Sequence, residues 1–238
     1  MQTLRESVSK LKPGEGWKAE PLPLRTLKPY RLDELDTTHS KVRLAVNMAH
    51  AWAERVREGN PETSLVIVGP NGTGKTHIAR AIQWSIIRRA VDRDGKPIPG
   101  SEQPDGRFYP SNELLGLMGA TIDPDSGITT TTRASGVIGT APIVVIDDIG
   151  AEQFIPFVSK EMQEQERHAR FFKVVDYCYI MRISLIITSN LSVGELARFV
   201  GRRSWDRISE MAPRLPDGRS FIVDLVGVPS WRQKAGGR

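Results

Sequence analysis

Eight consecutive residues, Gly69-Pro70-Asn71-Gly72-Thr73-Gly74-Lys75-Thr76, satisfy the pattern G-x-x-x-x-G-K-[ST] at every position. The pattern constrains the fold because it works only where a strand runs into a loop that opens a helix. The glycines let successive backbone N–H groups curl around a polyphosphate, the lysine reaches the β and γ phosphates, and the last hydroxyl can ligate Mg²⁺. The flanks supply both elements. Ser64 to Val68 is a short apolar, β-rich run entering the loop. Lys75 to Ala90 leaves it at helical spacing, with Ile78, Ala81, Ile82, Ser85 and Ile86 on one face. The loop therefore sits at a helix N-terminus, where the dipole favours an anion. Residues 69 to 76 and the adjoining His77 are the candidate nucleotide-binding residues.

The rest of the chain reads as α/β. Ser40 to Glu58 carries a helical apolar face that stops at Gly59 and Pro61. Phe108-Tyr109 reads as a short strand, with Ser111 capping a helix over 112–118. Ile143 to Ile146 is a continuous β-branched run, the pattern of a strand buried on both faces of a parallel sheet, and Ser184 to Thr188 reads as another buried strand. A long helix spans about 157–182, short helices cover 193–200 and 204–211, and a last strand covers 221–225. Residues 121–140, rich in Thr, Ser and Gly, read as a mobile loop. Strands alternating with helices imply a parallel sheet between helices, with ligands at the carboxyl ends of the strands. Residues 1–29, broken by six Pro and Gly, form a short N-terminal extension to a single domain over 30–238.

Composition narrows the class without naming a function. The 238 residues are 39% hydrophobic and 26% charged, with no apolar run long enough to span a membrane and no apolar stretch at the N-terminus resembling a secretory signal. One cysteine, Cys178, excludes an internal disulfide and suits a reducing cytosol. The net charge of +5 permits a nucleic-acid partner without requiring one.

Two further stretches carry chemistry. The strand ending Ile146-Asp147-Asp148 places two carboxylates at its carboxyl end. Asp147 would hold Mg²⁺ opposite Thr76, and Asp148 would orient or deprotonate the attacking water. The run Ile187-Thr188-Ser189-Asn190 ends the next strand with polar side chains. Asn190 would reach the γ-phosphate or the water if its strand lies beside the central one; it is equally suited to capping the helix that starts near Val193.

These stretches, together with Gly201-Arg-Arg-Ser-Trp-Asp-Arg-Ile208 and Pro229-Ser-Trp-Arg232, resemble the AAA+ ATPases of the DnaC/DnaI helicase-loader and IstB transposition-helper group. Order and approximate spacing match from about Tyr30 to Arg232. The resemblance implies an AAA+ P-loop domain with a five-stranded parallel sheet, binding ATP and Mg²⁺ and hydrolysing ATP slowly. It implies that Lys75 and Asp147 belong to Walker A and Walker B and that Asn190 is sensor 1. Arg207, or Arg203 beside it, would be an arginine finger reaching the ATP of a neighbouring subunit, and Arg232 a sensor-2-like residue acting within its own subunit. Asp148 departs from the usual glutamate. Cys178 stands near a place where relatives often carry arginine, a contact that Arg182 could supply.

The function so implied is an ATP-dependent loader of the replicative helicase onto single-stranded DNA in the cytoplasm of a bacterial or phage-infected cell, self-associating with nucleotide. A transposition helper ATPase is the nearer rival, and a P-loop small-molecule kinase with 121–140 as its lid a remote one. Candidate DNA contacts are Arg88, Arg89, Arg93, Arg133, Arg167, His168, Arg170 and Lys173.

Overall fold

The computed structural model describes residues 30–58, 63–88, 107–122, 129–139, 141–151, 159–212, 214–215, 218 and 220–231. A five-stranded parallel sheet forms its centre. The strands are β1 (Ser64–Val68), β2 (Arg107–Pro110), β5 (Ile143–Ile149), β6 (Ser184–Ser189) and β7 (Ile222–Asp224), in the order β2-β5-β6-β1-β7. The pairing Val68↔Ser189 brings the carboxyl ends of β1 and β6 together, and the β5–β6 ladder extends the row to Ile149. The phosphate-loop pattern, the paired aspartates and Asn190 therefore all leave one end of the sheet.

The apolar runs are buried on both faces because side chains alternate across the sheet. Leu65, Ile67, Ile143, Val145 and Ile186 point into one core with the helices Ser40–Arg57 and Lys75–Arg88. Val66, Val68, Val144, Ile146, Leu185 and Ile187 point into the other, with Phe171, Val174, Val175 and Cys178 of the helix Lys160–Ile180. Trp52 anchors the first core at 0% exposure, so of the five tryptophans this one is a core residue. Among the described residues no helix is long and apolar enough to cross a membrane.

Two expectations are corrected. Residues 121–140 are not simply a loop: β3 (Ala120–Ile122) and β4 (Thr129–Thr131) pair antiparallel, and Ala134–Ile138 is a helical turn with Ala134 and Ile138 buried. The Thr-rich composition that suggested a loop also suits a β-ribbon. Ser111 does not cap its helix either. It is the first helical residue of Ser111–Leu117 and is buried, with Pro110 at the cap and no side-chain cap bond. The N-terminal extension 1–29 lies outside the described residues.

Candidate functional site

The loop after β1 keeps its shape through glycines that could not be exchanged. Gly69 lies at φ +147°, and a Cβ there would meet Leu225 Cβ at 2.7 Å. Gly72 lies at φ +79°, and a Cβ there would meet Ser230 Oγ at 2.1 Å. Thr73 closes the loop by donating its hydroxyl to the Pro70 carbonyl at 2.9 Å. Pro70 and Asn71 stand exposed at its tip. Gly74 lies at φ +95°, and its carbonyl accepts from Ile78 N–H at 2.9 Å. The Lys75 ammonium, 6% exposed, folds back into the loop and donates to the Gly69 and Pro70 carbonyls at 2.8 and 3.0 Å. A cation held over a glycine-rich turn at a helix N-terminus is a receptor for a polyanion.

Thr76 and Asp147 meet across the gap between the loop and β5. The Thr76 hydroxyl stands 3.0 and 3.1 Å from the two Asp147 carboxylate oxygens. Thr188 of β6 donates its hydroxyl to Asp147 Oδ1 at 2.6 Å and accepts from Asp148 N–H at 2.9 Å. Asp148 itself has a left-handed backbone, φ +61°. Asn190 lies one residue beyond β6, and its Oδ1 is enclosed with no hydrogen-bond partner. Asn190 does not cap the following helix: Ser192 does, in a capping box with Glu195. Hydrogen bonds from Ser192 and its backbone hold the Glu195 carboxyl below its ordinary range.

A triphosphate with a hard divalent cation fits this donor set. The hydroxyl of Thr76 and the carboxylate of Asp147 are oxygen ligands of the kind Mg²⁺ takes. The enclosed Asn190 oxygen is a buried polar atom waiting for a partner, which a buried site supplies to a bound ligand or its water. Among the described residues no cluster of three or more His, Cys, Asp or Glu is set to hold a metal. Thr76 and Asp147 would share such an ion with phosphate oxygens, as is usual for Mg²⁺ in nucleotide sites.

Not every sequence candidate converges here. His77 turns to the segment before the first helix, with Nε2 3.0 Å from the Arg31 carbonyl and its ring edge-on to Tyr30 at 5.1 Å. Arg203 and Arg207 lie on the helix Arg202–Glu210, which packs on the helix Lys160–Ile180. The Arg207 Nε is 2.8 Å from Asp176 Oδ1, an ion pair without straight hydrogen-bond geometry. Both guanidinium groups stack over Phe172, at 4.2 Å for Arg203 and 4.7 Å for Arg207. Among the described residues neither arginine touches the loop, Asp147, Asp148 or Asn190. Arg232 lies outside the described residues, as do Arg89 and Arg93. Its neighbours are placed: Trp231 N–H donates to the Gly72 carbonyl at 2.9 Å, docking the C-terminal segment on the loop.

Three of the basic residues that suggested DNA contact have structural partners. Arg167 donates to the Phe199 carbonyl and stacks on the Phe199 ring, His168 Nε2 lies 3.0 Å from the Arg198 carbonyl, and Arg170 binds Glu166 and the Leu115 carbonyl. Sequence reading also passed over residues that belong to the site. In the sequence Thr188 stands only as part of a strand ending. Arg80, half-buried with its guanidinium 3.2 Å from the Phe108 ring centroid, has its pKa lowered by burial, against the opposing charges of Tyr30 and Asp147.

The sheet order and the phosphate loop define an α/β P-loop fold of AAA+ type. The chain belongs to the family of IstB-like ATP binding proteins, whose profile matches residues 56–205. Solved structures of similar fold include that of the DnaC helicase loader, with TM-score 0.55, 22% identity, and coverage of 83% of this chain and 96% of that one. The structure of DnaI gives TM-score 0.55 and 18% identity over 84% of this chain and 89% of that one. AMPPCP-bound DnaA from Aquifex aeolicus gives 0.51 and 18% over 82% of this chain and 49% of that one. A 44-residue stretch is 50% identical to the chromosomal replication initiator protein DnaA of Ruegeria sp. (strain TM1040), covering 18% of this chain and 9% of that protein. At these identities the structural likenesses speak to the fold.

Proposed function

We propose that the protein is an Mg²⁺-dependent ATPase whose hydrolysis is completed by a neighbouring copy, and that it loads a replicative helicase onto single-stranded DNA. The observation that carries the ATPase is the meeting of Thr76, Asp147, Thr188 and Asp148 beside the phosphate loop. In this reading the loop N–H groups and Lys75 bind the phosphates, Lys75 exchanging its two loop carbonyls for phosphate oxygens. Thr76 and Asp147 would hold Mg²⁺, which would supply neutralisation of the phosphate charge. Asp148 takes the proton of the attacking water, and the Asn190 amide orients that water against the γ-phosphate. Arg207, half-buried on a helix away from its own loop, leaves its contacts with Asp176 and Phe172 to reach the γ-phosphate of the next subunit and stabilise charge there. A groove of about 270 Å³ lined by Asp36, Thr38, His39, Val42, Val228, Pro229 and Trp231 adjoins the loop through Trp231 and would take the base.

The loader reading is supported by the likeness to the DnaC helicase loader over 96% of that chain. The family match favours a second reading, an IstB-like helper that binds duplex DNA and a transposase. Affinity purification of the tagged protein from its own cell, with ATP or ADP present, separates them. The loader reading expects a replicative helicase retained with ATP. Recovery of a transposase and no helicase would replace it with the second reading. Both place the protein in the bacterial cytosol.

A further inference from the structure

The ladder between β5 and β6 loses its register at one place. It runs from Ile143↔Ser184 to Ile146↔Ile187 and resumes at Ile149↔Ser189. Two residues of β5, Asp147 and Asp148, thus face one residue of β6, Thr188, which is the count of a β-bulge. The bulge takes Asp148 N–H out of the ladder, and a buried N–H without an acceptor is strongly disfavoured. Thr188 supplies the acceptor at 2.9 Å. The single proton of the same hydroxyl goes to Asp147 Oδ1 at 2.6 Å, leaving its lone pairs for Asp148, so the two bonds are compatible and polarise each other. Thr188 is wholly buried, so its hydroxyl is held by these two partners and not by water. The left-handed backbone of Asp148, which a residue with a Cβ adopts only where its surroundings hold it, sits at this bulge. The next hydroxyl secures the far side: Ser189 Oγ donates to the Ile149 carbonyl at 2.6 Å.

We propose that Thr188 is a positioning residue for both aspartates. Its hydroxyl fixes the carboxylate plane of Asp147 and the backbone of Asp148, aiming one carboxylate at the metal and the other at the water. Its bond is to Oδ1 of Asp147, which leaves Oδ2 available when Thr76 turns away. The proposal rests on the ATPase reading above.

Thr188→Val keeps the shape and removes the hydroxyl; Thr188→Ser keeps the hydroxyl. Two readouts follow. In the nucleotide-free protein, amide hydrogen exchange at Asp148 should quicken roughly fivefold to a hundredfold in Thr188→Val, the cost of leaving one enclosed donor without its acceptor, and stay near wild type in Thr188→Ser. At saturating ATP and Mg²⁺, turnover should fall by a similar factor in Thr188→Val and recover in Thr188→Ser, with the dissociation constant for ATP unchanged in both. Wild-type exchange and turnover in Thr188→Val would overturn the proposal, as would a Thr188→Ser protein as impaired as Thr188→Val. Should Thr188→Val not fold, Thr188→Ala takes its place with the same expectations. Hydrolysis by wild type that Lys75→Ala leaves intact would instead overturn the ATPase reading, and the exchange measurement would still decide whether Thr188 holds the bulge.

Discussion

Gly72→Ala reads how firmly the C-terminal segment docks on the phosphate loop. At φ +79° an alanine costs roughly 1–2 kcal/mol in backbone strain alone. Its Cβ would stand 2.1 Å from Ser230 Oγ and 3.1 Å from Ser230 Cβ. A rotamer change can move the hydroxyl, but the Cβ contact requires the segment to retreat. Retreat stretches the 2.9 Å bond from Trp231 N–H to the Gly72 carbonyl, which is worth roughly 1 kcal/mol. The loss of stability should therefore be about 2–3 kcal/mol, seen as a lower urea midpoint with an unchanged slope. Ser230→Gly removes the obstacle and leaves the strain. In that background the same substitution should cost only about 1–2 kcal/mol, a coupling of roughly 1 kcal/mol in the double-mutant cycle. Costs that add, with coupling below about 0.3 kcal/mol, would refute the docking of Ser230 and Trp231 on the loop.

Other substitutions probe separate parts of the account. Asn190→Ala deletes an enclosed oxygen that has no partner; thermal stability should hold or rise while ATP turnover falls roughly tenfold to a hundredfold. Phe171→Ala opens the core beneath β5 and β6, where Phe171 is 1% exposed, and calorimetry should show a loss of about 3–5 kcal/mol. Burial pushes the Cys178 thiol up from 9.0 to about 12, so the folded protein should ignore thiol reagents at pH 8 and react once denatured. Because the folded value is raised, this group's contribution to stability is complete below pH 9.0 and is lost as the pH climbs toward about 12.

The fold was legible where one local rule decides each element. The apolar stretches 65–68, 143–146 and 185–187 are the pattern of strands covered on both faces. The helix start near Val193 was legible, but its cap was not: Ser192, in a capping box with Glu195, holds the place for which Asn190 was the candidate. The pairing of Ala120–Ile122 with Thr129–Thr131 was not legible, because Thr and Gly serve turns and strands alike and only pairing separates them. At the site, Lys75, Thr76, Asp147 and Asn190 follow from strand ends brought together by the sheet order. Thr188 does not, since its role arises from a bulge two strands share, and nothing within one strand announces a register shift. Arg167 and Arg170, whose charge on a helix suggested DNA, also have structural partners in Phe199, Glu166 and the Leu115 carbonyl that sequence did not show.

If one active site is completed by two copies, two differently defective proteins should restore each other on mixing. Lys75→Ala loses its own nucleotide grip but keeps Arg207; Arg207→Ala keeps its loop but offers no finger. Each protein alone should hydrolyse ATP at a small fraction of the wild-type rate, under conditions where wild type assembles. Mixed in equal amounts, about a quarter of the head-to-tail interfaces pair an intact loop with an intact finger, and activity should return in that proportion. A mixture no more active than its parts, or an Arg207→Ala protein that hydrolyses ATP normally by itself, would contradict the account.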